Sequence, residues 1–184
     1  MGTVIAIAFV SLDGYVTDPD GSGGTPYGGW AFRHGPEAVG GDKFRLGTLL
    51  DDGVMLLGRR TWELFSGLFP TRTDDFAVRM NKIPKLVASR SLSDVSGWSN
   101  STLADSDVVD VVRREERDVI VTGSSSIVHL LQGHDLIDEY RLLTFPSIVG
   151  AGERLFGPTS SPVYLTCVES TQVGAAVLTQ YRRA

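Results

Sequence analysis

Three segments of the chain set chemistry-bearing residues directly after a short apolar run. Val54-Met55-Leu56-Leu57 leads into Gly58-Arg59-Arg60-Thr61-Trp62-Glu63, Lys85-Leu86-Val87-Ala88 into Ser89-Arg90-Ser91, and Val119-Ile120-Val121-Thr122 into Gly123-Ser124-Ser125-Ser126-Ile127. Each run has the length of a strand, and the first and third then open onto a helical pattern. Such an ending suits an anion. Helix N-terminal amides and small residues let a phosphate reach the backbone, guanidinium groups bind it through paired charge-assisted hydrogen bonds, and hydroxyls add neutral donors. A dinucleotide pocket that selects an unphosphorylated ribose commonly uses an acidic residue on the 2′-hydroxyl, so arginines at these ends favour NADP over NAD. Each segment alone has an ordinary alternative. Arg59 and Arg60 equally suit a solvated surface, and Gly123 to Ile127, taken alone, better suits an ordinary serine-capped helix.

Other chemistries have less support. His34, His129 and His134 lack the H-E-x-x-H spacing, and a single cysteine, Cys167, excludes an intrachain disulfide framework and a multi-cysteine zinc site, so no metal is expected. Cys167 lies in a predicted strand and reads as a packed residue. There is no Walker A ending, no G-x-G-x-x-G fingerprint and no G-x-S-x-G elbow. The formal charge of -5 gives no global positive field for nucleic acid. Val4 to Val10 is too short to span a bilayer and no basic residue precedes it, so neither a membrane span nor a leader is expected, and a cytoplasmic setting fits.

These candidate ends need a scaffold. With 184 residues, 42% of them hydrophobic, the chain can bury one sizeable core, and one domain over residues 1–184 is the expectation. Val4 to Val10 is continuously apolar, as in a strand covered on both faces, and the runs at 54–57, 85–88, 119–122 and 140–145 read alike. Asp105 and Ser106 offer a cap to a helix carrying Val108, Val109, Val111 and Val112, and Ser124 to Gln132 reads as another helix. Near the C-terminus, Val163 to Thr171 and Val173 to Arg182 leave no room for a crossover helix, so they should pair antiparallel. The expected fold is α/β with a mixed sheet. Gly21 to Gly41 is the longest candidate loop.

Taken in order, these segments resemble the dihydrofolate reductase superfamily, and most of all its small stand-alone members and the reductase domain of the bifunctional riboflavin-biosynthesis enzyme. The likeness runs through Ser11-Leu12-Asp13-Gly14-Tyr15-Val16, the three strand ends, Leu136-Ile137-Asp138-Glu139-Tyr140-Arg141, and Pro146-Ser147-Ile148-Val149-Gly150-Ala151-Gly152-Glu153-Arg154-Leu155-Phe156. It implies a mixed, mostly parallel sheet of about eight strands flanked by helices, with NADPH extended along its carboxyl edge. Gly58, Arg59, Arg60 and Thr61 would hold the pyrophosphate and 2′-phosphate. Ser89, Arg90 and Ser91 would lie by the adenosine ribose phosphate, Gly123, Ser124, Ser125, Ser126 and Ile127 would cover the pyrophosphate, and the backbone near Ala8 and Phe9 would approach the nicotinamide. The family's usual glycine pair is here Gly123-Ser124.

The resemblance also implies a pocket carboxylate before the G-R-x-T segment. Asp42, sixteen positions before Gly58, is similarly spaced and would donate or steer the proton, with Asp13 as second candidate. Asp42 equally suits a solvated helix start among Gly40, Gly41 and Lys43, and Asp13-Gly14 equally suits a turn. The long loop supplies Tyr27, Trp30 and Phe32, either as a lid on a planar heterocycle or as packing onto its own scaffold. The expected activity is NADPH-dependent reduction of a small pterin-like or aminopyrimidine-like substrate, akin to dihydrofolate reductase or to 5-amino-6-(5-phosphoribosylamino)uracil reductase. The rival is a NADP(H)-binding sensor or interaction module without turnover. The resemblance makes a homodimer plausible.

Overall fold

The computed structural model describes residues 1–40 and 43–184. In chain order the elements are β1 (Val4–Ser11), α1 (Gly35–Val39), α2 (Leu49–Asp52), β2 (Val54–Gly58), α3 (Arg59–Leu68), α4 (Asp75–Lys82), β3 (Lys85–Ala88), β4 (Ser101–Leu103), α5 (Val108–Arg114), β5 (Val119–Val121), α6 (Ser125–Gly133), β6 (Glu139–Phe145), β7 (Leu165–Val173) and β8 (Ala176–Arg183). The eight strands form one mixed sheet in the order β4-β3-β2-β5-β1-β6-β8-β7. This is the expected α/β fold, mostly parallel with antiparallel strands at its C-terminal end.

Two compact units make up the chain. The first holds Met1–Ala6 and Leu46–Ile137, the second Ile7–Arg45 and Asp138–Ala184. In the first, Val54, Met55, Leu56 and Leu57 are wholly buried. That explains why β2 is apolar throughout rather than alternating, because helices cover both faces of a parallel strand. The register pairs Gly58 with Ala88 and Leu56 with Val121, so β2, β3 and β5 end at one edge of the sheet. In the second unit β8 lies between β6 and β7 and pairs antiparallel with both, with Tyr140 opposite Tyr181 and Ser170 opposite Thr179.

The structure revises several boundaries. The cap of α5 is Asp107, whose carboxylate accepts from the Val109 amide, rather than Asp105 or Ser106. The C-terminal strands start two or three residues later than the apolar pattern suggests, because the turn falls at Val173–Ala176. Part of the long loop is helical, as the turn Phe32–His34 and α1. Cys167 is exposed, not packed. Two further elements lay unread in the sequence. The α4 helix starts at a standard cap, with Asp74 accepting from the Ala77 amide, and β4 is a polar strand of three residues.

Lys85, at the head of β3, is fully buried, and its ammonium donates to the carbonyls of Ile83 (2.7 Å), Ser99 (2.9 Å) and Asn81 (3.2 Å) while lying 4.3 Å from the centre of the Trp98 ring. It ties the end of α4 to the approach to β4. Burial pushes its pKa down to about 8.

Candidate active site

In the first unit the three strand ends converge as their residue types require. The Gly58 amide donates to the Gly123 carbonyl at 2.8 Å, which fastens the end of β2 to the turn after β5. A Cβ on Gly58 would fall 2.8 Å from Ser124 Oγ and 3.0 Å from the Ser124 amide nitrogen, so only glycine lets these turns touch. Thr61, on the first turn of α3, packs against Gly123, where a Cβ would stand 3.0 Å from Thr61 Oγ1. On the other side, Arg59 Nη1 donates to Ser91 Oγ at 3.1 Å and links β2 to the segment after β3. Ser89 Oγ shapes that segment by accepting from the Ser91 and Leu92 amides.

The electrostatics of this edge favour an anion. Both α3 and α6 begin there, capped by Gly58 and Ser124 without a hydrogen bond from the cap side chain to the first turn, and their dipoles favour negative charge at this edge. Arg59, Arg60 and Arg90 are exposed, and none forms an ion pair among the described residues. Ser124 Oγ and Ser126 Oγ lie 2.6 Å apart, Ser125 is half-buried, and Ile127 is buried beneath the turn. Arg59, Ser91, Gly58, Thr61, Gly123 and Ser124 are thus joined by direct contacts. Ser89 and Arg90 share the segment of Ser91 through chain continuity. A cavity of about 260 Å³ in the same unit is lined by Leu86, Leu103, Ala104, Val111 and Arg114, and is distinct from these strand ends.

The second unit interlocks two motifs far apart in sequence. Ser11, buried at the end of β1, donates through Oγ to Asp13 Oδ1 at 2.7 Å and accepts from the Tyr15 amide at 2.9 Å. The Asp13 carboxylate also accepts from the amides of Val149 (3.1 Å) and Gly150 (2.8 Å), and Arg154 donates to the Asp13 carbonyl at 3.0 Å while covering the Tyr15 ring. The Ser11 hydroxyl, joined by those amides against a partial loss of solvent, holds the Asp13 pKa at about 2. The geometry gives Asp13 the part of an ionised anchor near neutral pH.

Other expected site residues divide. Ala8 and Phe9 are half-buried on β1, and the Phe9 ring meets Phe44 (5.6 Å between centres) and Phe145 (5.2 Å). Trp30 is buried, donating to the Thr17 carbonyl at 2.9 Å and packing edge-on against Phe145, so it packs the loop onto its scaffold and does not form a lid. Tyr27 is half-buried and Phe32 exposed. Asp42 lies outside the described residues. Among the described residues no cluster of three or more His, Cys, Asp or Glu side chains could hold a metal, and no helix is long and apolar enough to cross a membrane.

Residues 2–179 match the family model of the RibD C-terminal domain. The chain belongs to that family. Its fold is shared by a Shewanella sp. PV-4 protein described as a riboflavin biosynthesis protein, at TM-score 0.74 and 22% identity over 99% of each chain. A pyrimidine reductase-like protein of Corynebacterium diphtheriae gives 0.65 and 13%, covering 100% of this chain and 92% of its own. The Thermotoga maritima diaminohydroxyphosphoribosylaminopyrimidine deaminase/5-amino-6-(5-phosphoribosylamino)uracil reductase gives 0.59 and 16%, and the chain spans 57% of it. No curated protein matches the chain in sequence.

Proposed function

We propose that the chain is one reductase domain over residues 1–184 that uses NADPH to reduce a small heteroaromatic substrate, pterin-like or aminopyrimidine-like. The observation that carries this reading is the single edge on which Gly58, Thr61, Gly123 and Ser124 pack together and Arg59 bonds Ser91. Membership of the RibD C-terminal domain family and the reductase names of several solved relatives support it.

The residues fit the cofactor by their chemistry. Three exposed guanidinium groups that form no ion pair among the described residues suit a 2′-phosphate, while the turns at Gly58 and Gly123 leave room for the pyrophosphate beside the first turns of α3 and α6. NADPH supplies the hydride when bound. Arg59, Arg60 and Arg90 would hold the phosphates, with Ser89, Ser91 and Ser124 to Ser126 donating neutral hydrogen bonds. Ala8 and Phe9 would orient the nicotinamide through their backbone groups. The Asp42 carboxyl would deliver a proton to the substrate atom next to the carbon being reduced, a role Asp13 leaves to it by staying ionised. Asp13 instead fixes the Ser11–Tyr15 turn against Val149 and Gly150. A cytoplasmic setting and a homodimer belong to the same reading, with β7, last in the sheet order, as the open edge.

Titration with NADPH and NADH, followed by stopped-flow oxidation of NADPH on a panel of pteridines and aminopyrimidines, tests the proposal. Tighter binding of NADPH, and turnover lost in Asp42→Asn with binding retained, is the expected outcome. Equal weak binding of both nucleotides would overturn the cofactor assignment. NADPH binding without turnover on any substrate would leave the sensor reading in its place.

A further inference from the structure

The segment just after Asp42 has an unusual backbone, and three distant strands hold it. Phe44 and Arg45 both adopt positive φ, at 61° and 49°, a conformation that costs non-glycine residues of order 1 kcal/mol or more each and persists only where the surroundings enforce it. The enforcing group is Arg141 of β6, whose Nη1 donates to the carbonyls of both Phe44 (3.1 Å) and Arg45. Arg141 is fixed in turn by Glu139, whose Oε1 accepts from Arg141 Nε at 2.6 Å and whose Oε2 accepts from Arg182 Nε of β8 at 2.8 Å. Side chains of Glu139 and Arg141 are only 3% and 12% exposed.

Three further contacts complete the hold. Arg45 Nη1 pairs with Glu169 of β7 at 2.9 Å and its Nη2 donates to Thr171, while the buried Phe44 ring packs on Phe9. A carboxylate and a guanidinium withdrawn from water are costly unless paired and hydrogen-bonded, and a buried pair of this kind, joined here by the exposed Arg182, fixes one geometry. The two carbonyls use donors of Arg141 that Glu139 leaves free.

We infer that Arg141, oriented by Glu139 and Arg182, is a positioning residue: it locks Phe44 and Arg45, the residues that follow in sequence the acid assigned to proton delivery, in one backbone conformation. The inference rests on the reductase reading, in which Asp42 moves the proton. Phe44 links the lock to Phe9, the residue assigned there to the nicotinamide side of β1. The antiparallel C-terminal strands thereby hold Phe44 and Arg45, although their own residues lie nearly a hundred positions or more away in sequence.

The test measures hydrogen–deuterium exchange in peptides covering residues 40–48, alongside kcat, KM and NADPH affinity, for the full chain and for Arg141→Met, Arg141→Lys and Arg182→Met. Arg141→Met should speed exchange in that segment about tenfold or more while peptides covering 54–62 and 120–128 keep their wild-type rates. It should lower kcat about tenfold with KM and NADPH affinity little changed, and Arg141→Lys, which keeps one cationic donor, should recover part of both. Arg182→Met removes only the exposed arm of the network and serves if Arg141→Met does not fold, with a smaller rise in exchange. Unaltered exchange at 40–48 in the folded variants, or loss that appears equally in KM and NADPH affinity, would overturn the inference. If the wild-type chain reduces no heterocycle, the reductase reading fails by itself, and the exchange data alone still decide whether Arg141 locks the segment.

Discussion

Replacing Gly58 by alanine adds one methyl group where the edge proposed to hold the nucleotide is tightest. The new Cβ would stand 2.8 Å from Ser124 Oγ, 3.0 Å from the Ser124 amide nitrogen and 3.3 Å from Ile127 Cδ1. The hydroxyl can turn away, but the amide is backbone, so the turn after β5 must retreat by a few tenths of an ångström. That retreat stretches the 2.8 Å bond from the Gly58 amide to the Gly123 carbonyl. Overpacking of this size costs about 1–3 kcal/mol. For a domain of this length that is a fall in Tm of about 2–4 °C per kcal/mol. Because the same movement displaces the first amides of α6, NADPH affinity should fall by about tenfold or more, a loss of about 1.4 kcal/mol. Differential scanning fluorimetry and a fluorescence titration of NADPH read the two effects. Gly67→Ala is the control, since nothing lies within 4 Å of its Cβ and it sits inside α3, where alanine is favoured by roughly 0.5–1 kcal/mol. Wild-type NADPH affinity in Gly58→Ala would show that this close approach does not shape the nucleotide site.

Two other perturbations separate the units. Arg59→Ala and Arg90→Ala, both at exposed positions, should reduce the preference for NADPH over NADH while moving stability by no more than about 0.5 kcal/mol, and titrations that leave the preference intact would remove the guanidiniums from the site. The Asp13 carboxyl is held at about 2 against an ordinary 3.8, so between those values the unfolded chain binds the extra proton and stability falls as pH is lowered through that window. Urea melts from pH 6 to 2 should therefore show a shallower acid decline in Asp13→Asn than in wild type, and parallel declines would contradict the anchoring role.

Much of the edge formed by the ends of β2, β3 and β5 was legible because it is written in local sequence. A continuous apolar run followed by glycine, arginine and threonine specifies a buried parallel strand, a tight turn and a helix start without help from distant residues, and β2 with α3 follows that pattern. The second unit was read less well for the opposite reason. Beyond the near neighbours Ser11 and Glu139, the partners of Asp13 lie at Val149 and Gly150 and those of Arg141 at Phe44 and Arg45, so the local sequence does not announce either role. Asp13-Gly14 reads equally as a turn or an acid until the amides it binds are known. Trp30 carries the composition of a lid and the environment of a core residue, a difference set by Phe145 and Thr17. One local signal was available and overlooked, since Asp74 before Phe76, Ala77 and Met80 is an ordinary helix cap.

Crystals of the protein with NADPH give the most direct measurement of the central claim, that one edge built from the ends of β2, β3 and β5 grips the nucleotide phosphates. Density for the 2′-phosphate against the guanidiniums of Arg59 or Arg90, with the pyrophosphate beside Gly58 and Gly123, is the expected result. Well-defined nucleotide density elsewhere, such as in the cavity lined by Leu86, Leu103 and Val111, with those arginines untouched, would contradict it.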